Sequence, residues 1–174
     1  IRQLEQSGKK YPELGFNARK KTSNKWFETQ DTIAYYQEFE KEKIVWQEIS
    51  NQPSFTLDKS KFYTNQTAYI MTGSNLKYIL GVLNSRISYF YLTKIAYSLA
   101  QEGNRWIKQY VEQIPIPPIT KENQAIAEQI EELVSQILQI KAQDPNADTQ
   151  ELERQIDQLV YQLYKLTPEE IELI

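Results

Sequence analysis

Three short stretches of this chain carry side chains suited to one kind of chemistry. Arg105, Trp106 and Lys108 lie together in "GNRWIKQYVEQIPIPP", residues 103–118. Lys9, Lys10, Arg19, Lys20, Lys21 and Lys25 lead up to Trp26. Lys59 and Lys61 precede Asn65 and Gln66. Lys and Arg neutralise phosphates and hold a protein in register on a nucleic-acid backbone. Arg, Asn and Gln also match the donors and acceptors on base edges. Trp26 and Trp106 can either contact nucleic acid or pack. A single run of charge is most often a solvated face, so the weight lies in three such patches within one mildly basic body.

Catalytic patterns are missing from the sequence. There is no cysteine and no histidine, which removes disulfides, Cys or His metal sites and the usual nucleophile–base pairs. The five glycines are scattered and form no phosphate loop. No acidic residue stands two places before a lysine, a spacing common in metal-dependent nucleases. The sole Pro-Pro, Pro117–Pro118, lies between Ile116 and Ile119, unlike the Asn- or Asp-Pro-Pro-aromatic motif of enzymes that methylate amino groups on DNA bases. The carboxylate pair Glu131–Glu132 falls on a polar helix face. The sequence therefore points to recognition, with no catalytic residue, bound cofactor or metal expected in these 174 residues.

The net charge of −3 conceals a division. Residues 1–30 hold seven Lys/Arg against three Asp/Glu, and residues 31–118 hold nine against eight. Residues 119–174 hold four against twelve. A basic body joined to an acidic tail can bind a polyanion on one side only. The length suits one domain with a real core and a small appendage. No apolar run approaches the roughly 18 residues that span a bilayer. The first residues hold no hydrophobic signal core and no initial Met, which reads as a piece of a longer protein.

The elements that must position the patches follow from periodicity. Residues 1–24 read as loop, with Gly8, Pro12 and Gly15. "KWFETQD" (25–31) predicts a strand, and "KIVWQEIS" (43–50) predicts one buried on both faces. "NQPS" turns the chain, and "FTLD" and "FYTNQTAYIMT" predict two more strands. Leu76, Ile79, Leu80, Leu83, Ile87 and Phe90 fall on one helical face, capped by Ser74 or Asn75 and broken near Asn84–Ser85, with helix reaching about Ser98. "QEGNR" is a loop, and Gly103–Lys108 a loop and last strand. "IPIPP" stops the lobe. Thr120 is the expected cap of a helix carrying Ile126, Ile130, Leu133, Val134, Ile137 and Leu138. "QDPNAD" connects it to a second helix with Leu152, Ile156, Leu159, Val160 and Leu163. "TPEE" (167–170) is a capping box. The apolar stripes of the two long helices can pack on their own domain or dock a partner.

In order along the chain, "KIVW", "LGVLNS", "IPIP" and "DQLVYQLYKLTPEE" resemble the TaqI-like C-terminal specificity domain, the target-recognition domain of type IIG restriction-modification enzymes and adenine-specific DNA methyltransferases. The sequence is also similar, more distantly, to a repeat of the type I specificity subunit. The resemblance covers roughly residues 25–174 and is least in the first 24. It implies an α/β (α+β) recognition lobe built on a mixed sheet, residues 1–118, followed by an antiparallel helical hairpin and short terminal helix, residues 119–174. It implies a prokaryotic, cytoplasmic parent in which this part grips double-stranded DNA opposite the methyltransferase domain of the same chain. That domain would transfer a methyl group from S-adenosylmethionine to adenine, with Mg for cleavage where the parent cuts.

Charge and residue type alone select Arg19, Lys20, Lys21, Lys25, Trp26, Lys59, Lys61, Asn65, Arg105, Trp106 and Lys108 as DNA-facing candidates. Two other readings compete. One is a protein-interaction or scaffolding module that uses the acidic hairpin, and the other is an enzyme fragment whose active site is completed elsewhere.

Overall fold

A computed structural model describes residues 1–29, 33–65, 67–98 and 103–174. The chain forms two compact units, Ile1–Gln37 and Glu38–Ile174.

The first unit is organised around a hairpin. Strands β1 (Lys10–Tyr11) and β2 (Phe16–Asn17) pair antiparallel across a 3₁₀ turn at Pro12–Leu14. The ladder continues outward through Ala18 N–H to Lys9 O, Gly8 N–H to Arg19 O and Thr22 N–H to Gln6 O, at 2.8–2.9 Å. So a short hairpin lies within the loop-rich first 24 residues, because a proline and a glycine flank a tight reversal. Gln6 is buried, and its amide replaces an apolar core here. Its Nε2 donates to Lys25 O (2.9 Å) and Glu28 O (2.7 Å), and Thr22 Oγ1 donates to its Oε1. The strand expected over 25–31 is turn as far as residue 29. Glu28 N–H closes on Lys25 O, and Lys25 N–H is taken by Glu28 Oε2 (2.7 Å), so neither is free to join a sheet. Residues 30 and 31 lie outside the described residues.

The second unit holds the three-stranded sheet and all the described α-helices. Strand β3 (Lys43–Gln47) lies between β5 (Phe55–Asp58) and β6 (Ala68–Met71). Trp46 faces Phe55 on one side and Tyr69 on the other. Strand β4 (Ile49–Ser50) pairs with β7 (Asn104–Arg105) in a separate ribbon. Every described pairing is antiparallel, and the α+β class holds. The strand expected across 62–72 is confined to Ala68–Met71. Before it, Asn65 Oδ1 accepts from Thr67 N–H (3.0 Å) and Thr67 Oγ1 (2.6 Å), which makes a turn.

Helix α1 (Leu76–Leu83) begins after Asn75, which takes a left-handed conformation (φ +55°) and makes no side-chain cap. The expected break at Asn84–Ser85 is present. Ser85 caps α2 (Arg86–Ile95), with its Oγ accepting from Ser88 N–H. Asn84 does a different job. Its carboxamide accepts from Phe55 N–H (3.2 Å) and donates to Phe55 O (3.0 Å) and Leu80 O (3.2 Å). It thus satisfies one residue of the open edge of β5 as a neighbouring strand would. Helix α2 ends at Ile95 rather than near Ser98, because Ser98 bridges to Asn104 beside the β4–β7 ribbon.

The last strand expected within Gly103–Lys108 is β7, and a short α3 (Lys108–Val111) begins at the final residue of that stretch. Then come α4 (Gln124–Gln143), α5 (Gln150–Tyr164) and α6 (Pro168–Ile171). Thr120 does not cap α4. Its N–H donates to Asn123 Oδ1 (2.7 Å), and the helix starts after Asn123. The Thr167–Glu170 capping box forms as expected, with Thr167 N–H on Glu170 Oε2 at 2.8 Å.

The stripes of α4 and α5 are buried inside this unit. Ala127, Ile130, Val134, Ile156 and Val160 belong to the same buried cluster as Ile44, Trp46, Phe55, Leu80 and Leu83. Gly81 makes this possible. A Cβ built there would sit 2.4 Å from Ile130 Cγ2 and 3.1 Å from Val134 Cγ2. Neither methyl ends a flexible side chain, so α4 would have to move. Gly81→Ala should lower stability by about 1–3 kcal/mol despite alanine's better helix propensity. Urea unfolding should read this as a lower midpoint at unchanged slope.

The Lys43 end of the sheet is closed by a buried ion pair. Lys43 is fully buried, and its Nζ donates to Asp58 Oδ2 (2.5 Å) and Phe39 O (2.8 Å). Burial alone would raise the Asp58 carboxyl. Hydrogen bonds from Lys43 and from the Ser60 and Phe62 N–H groups outweigh it and hold the carboxyl below its ordinary range.

Candidate nucleic-acid interface

The register of β3 sorts the candidate residues. Lys43 pairs with Asp58, and Gln47 with Ala68, so the two ends of the strand carry different loops. Lys59 and Lys61 follow Asp58 and belong to the Lys43 end. Both meet glutamates, Lys59 Nζ at 3.3 Å from Glu42 and Lys61 Nζ at 3.9 Å from Glu40. Asn65 belongs to the turn entering β6, at the Gln47 end. The third patch is therefore not one surface: its lysines are charge-balanced at one end and its asparagine is engaged in a turn at the other. Gln66 lies outside the described residues.

Trp106 is a core residue and offers no surface to a ligand, since its relative exposure is 0 %. Its Nε1 donates to Ser50 O (3.0 Å) and Ser50 Oγ (2.9 Å), and its backbone O accepts from Trp46 Nε1 (2.7 Å). Its backbone N–H donates to Glu48 O (2.7 Å). These bonds pin the stretch after β7 onto β3 and β4. Gly103 completes the arrangement. Its φ is +101°, and a Cβ there would meet the Ser50 carbonyl at 2.9 Å.

Arg105 stands on this scaffold with its side chain outward and 44 % exposed. Its Nε donates to Glu48 Oε1 (3.1 Å), and its Nη2 donates to the same oxygen. The hydrogen bond to Glu48, and then its charge, hold the guanidinium still more firmly protonated. Glu48 forms one wall of an open cleft of about 530 Å³ whose other walls are Gln47, Ile49 and Thr67. Gln47, Ile49 and Thr67 are exposed. Lys108, on α3, is exposed and lies 3.8 Å from Glu112. The Arg105 guanidinium does not line this cleft and is joined to it only through Glu48.

The first unit holds the other cations. Lys20, Lys21 and Lys25 are exposed, and Arg19 is half-buried. Lys25 Nζ lies 5.7 Å from the Phe27 ring, and Trp26 stands edge-on to the same ring at 5.5 Å. Trp26 is 45 % exposed, so it presents aromatic surface beside charge.

Sequence reasoning missed Glu48, Gln47, Ile49 and Thr67. The signal for them was the polar pair Gln47–Glu48 breaking an otherwise apolar strand. Which cation it would face depends on β4 meeting β7 across more than fifty residues, and no local pattern encodes that.

A larger concavity of about 600 Å³ lies between β5, the α1–α2 break and the α4–α5 pair. Several of its polar groups have partners within the chain. Lys141 Nζ donates to Ala147 O (2.7 Å), Arg154 pairs with Glu151 (2.6 Å), and Asp157 Oδ1 accepts from Arg86 N–H (2.8 Å). Among the described residues no cluster of three or more His, Cys, Asp or Glu is arranged to hold a metal ion. None of the described helices is long and apolar enough to cross a membrane.

No curated protein matches this chain. A family model does, that of the TaqI-like C-terminal specificity domain, over residues 6–116. The match takes in the basic hairpin, which the motif resemblance left aside, and stops before the two long helices. It includes β3, β4 and β7 and therefore Glu48, Arg105 and the cleft that Glu48 lines. With more than half of its length matched, the chain belongs to the TaqI-like C-terminal specificity domain family, the specificity domains of restriction-modification enzymes.

Proposed function

We propose that this domain reads a specific sequence in double-stranded DNA and so directs adenine methylation by a methyltransferase domain of the same parent chain, in the cytoplasm of a prokaryote. Family membership over residues 6–116 is the observation that carries this reading. The cleft beside Arg105 supports it, because polar side chains on strand ends are held firmly enough to discriminate bases. Arg19, Lys20, Lys21, Lys25 and Lys108 would supply phosphate contacts, which add affinity and register without sequence information. Trp26 would lie against the DNA backbone or an unstacked base. S-adenosylmethionine would supply the methyl group, bound by the methyltransferase domain, and Mg would serve cleavage where the parent also cuts. Residues 119–174 hold twelve Asp/Glu against four Lys/Arg, and keeping them off the DNA avoids repulsion by phosphates.

The test is duplex binding by the full protein as salt is raised. Affinity should fall with salt, and Lys20→Ala with Lys21→Ala should flatten the logarithmic slope by about one for each phosphate that is no longer neutralised. Undetectable duplex binding at low salt would overturn the reading.

A further inference from the structure

We propose that Glu48 and Arg105 act as one reading unit for a G·C pair in the major groove, with Arg105 facing the guanine and Glu48 both fixing the guanidinium and facing the cytosine. This rests on the DNA-reading function proposed above and assigns a base-pair class to its central cleft.

The guanidinium has five N–H groups in a planar fork. Glu48 Oε1 accepts from Nε and Nη2, which form one side of that fork. The end-on pair, one N–H from each Nη, remains available and points along the side chain. Two parallel donors at that spacing match O6 and N7 of guanine.

The carboxylate also argues against a phosphate as the partner of Arg105. A phosphate brought to this guanidinium would approach a second anion, Glu48, that is only 18 % exposed and therefore poorly screened. A guanine edge is neutral and meets no such repulsion. Among the described residues, Glu48 Oε2 has no hydrogen bond, and a carboxylate oxygen beside the guanine contact is placed to accept from N4–H of the paired cytosine.

Both residues are anchored by their main chains. Glu48 N–H donates to Thr67 O (2.9 Å), and Glu48 O accepts from Trp106 N–H (2.7 Å). Arg105 pairs with Ile49 across the ribbon and is followed at once by the buried Trp106. A guanidinium tethered at both its backbone and its inner edge loses little freedom on binding, which is the condition for discriminating among bases.

The experiment first selects the preferred duplex of the full protein from randomised DNA, then repeats the selection with Arg105→Ala and Glu48→Gln. Arg105→Ala should lose the preference for guanine at one position, weaken the preferred duplex about 10- to 100-fold, and leave the salt slope unchanged. Glu48→Gln should relax the same position by a smaller factor. A measurement that changes the DNA instead is replacement of that guanine by 7-deazaguanine, which removes N7. It should weaken the unmodified protein about tenfold and leave Arg105→Ala unaffected. If Arg105→Ala weakens all duplexes equally and lowers the salt slope by about one, Arg105 contacts phosphate and the inference falls while the function stands. If 7-deazaguanine at every guanine of the site has no effect on the unmodified protein, the inference falls as well. If the unmodified protein selects no sequence, the proposed function fails and this inference fails with it.

Discussion

Trp106→Ala should destabilise the second unit by about 3–5 kcal/mol, the range for removing a large aromatic from a closed core. The indole is wholly buried, packs near Tyr89 at 6.4 Å between ring centroids, and joins the cluster that includes Trp46, Leu92 and Val111. Its loss leaves a cavity and frees Ser50 O and Oγ of their donor. Trp106→Phe largely separates the two effects, since it deletes the N–H while keeping most of the volume. Its cost should be nearer the ~1–3 kcal/mol of an unsatisfied buried acceptor together with a smaller void. Urea unfolding followed by far-UV circular dichroism measures both. A Trp106→Ala midpoint within error of the parent would mean that the indole is not a core element. DNA affinity should fall in both variants even where the fold survives, because the residue before Trp106 carries the guanidinium.

Lys43→Met should cost about 3 kcal/mol or more at neutral pH, since it leaves a nearly buried carboxylate without its counter-ion. Asp58 keeps its bonds from Ser60 and Phe62 N–H, at 2.7 and 3.0 Å, which limits the loss. Adding Asp58→Asn should recover most of it, because a neutral pair of similar size carries no desolvation penalty. The pH dependence gives the sharper signature. In the parent the folded Asp58 carboxyl lies below its ordinary value of 3.8. Its contribution is therefore complete above about pH 4 and is lost as pH falls through the lower folded value. Without Lys43, burial acts on Asp58 with less opposition and its carboxyl moves upward. Protonation then relieves the variant before it harms the parent, so the stability gap should close as pH falls from 7 towards 4. Thermal melts across that range check this, and a gap independent of pH would remove Asp58 from the account.

Local chemistry was legible where local chemistry decides the outcome. The burial of "KIVW" on both faces, the break at Asn84–Ser85 and the Thr167–Glu170 box each follow from residues within a few places of one another. Trp106 illustrates the opposite case. Beside Arg105 and Lys108 it resembles a surface aromatic, and only the ribbon between β4 and β7 turns it inward. Lys43 reads as one more charge at a strand end, and its burial depends on Asp58 arriving from the neighbouring strand. Among the site residues, cationic character was visible from composition, whereas Glu48 became visible only through its pairing with Arg105. Gly81 carries no local signal of its role and is the contact surface for two other helices.

The boundary of the family match has a consequence for how the chain is made. Residue 116 is where the match ends, yet the face of α1 around Gly81 is covered by Ile130, Val134 and Ile156. As the chain leaves the ribosome, the first unit can close early, because its bonds join residues near in sequence. The sheet can assemble once residue 106 has emerged, but one side of α1 remains apolar and open to solvent until α4 and α5 are synthesised. A fragment ended at the family boundary would keep that side exposed indefinitely and would be a substrate for chaperones or aggregation. The two long helices thus complete the interior of the second unit, and the part of the chain that folds together is longer than the stretch the family model matches.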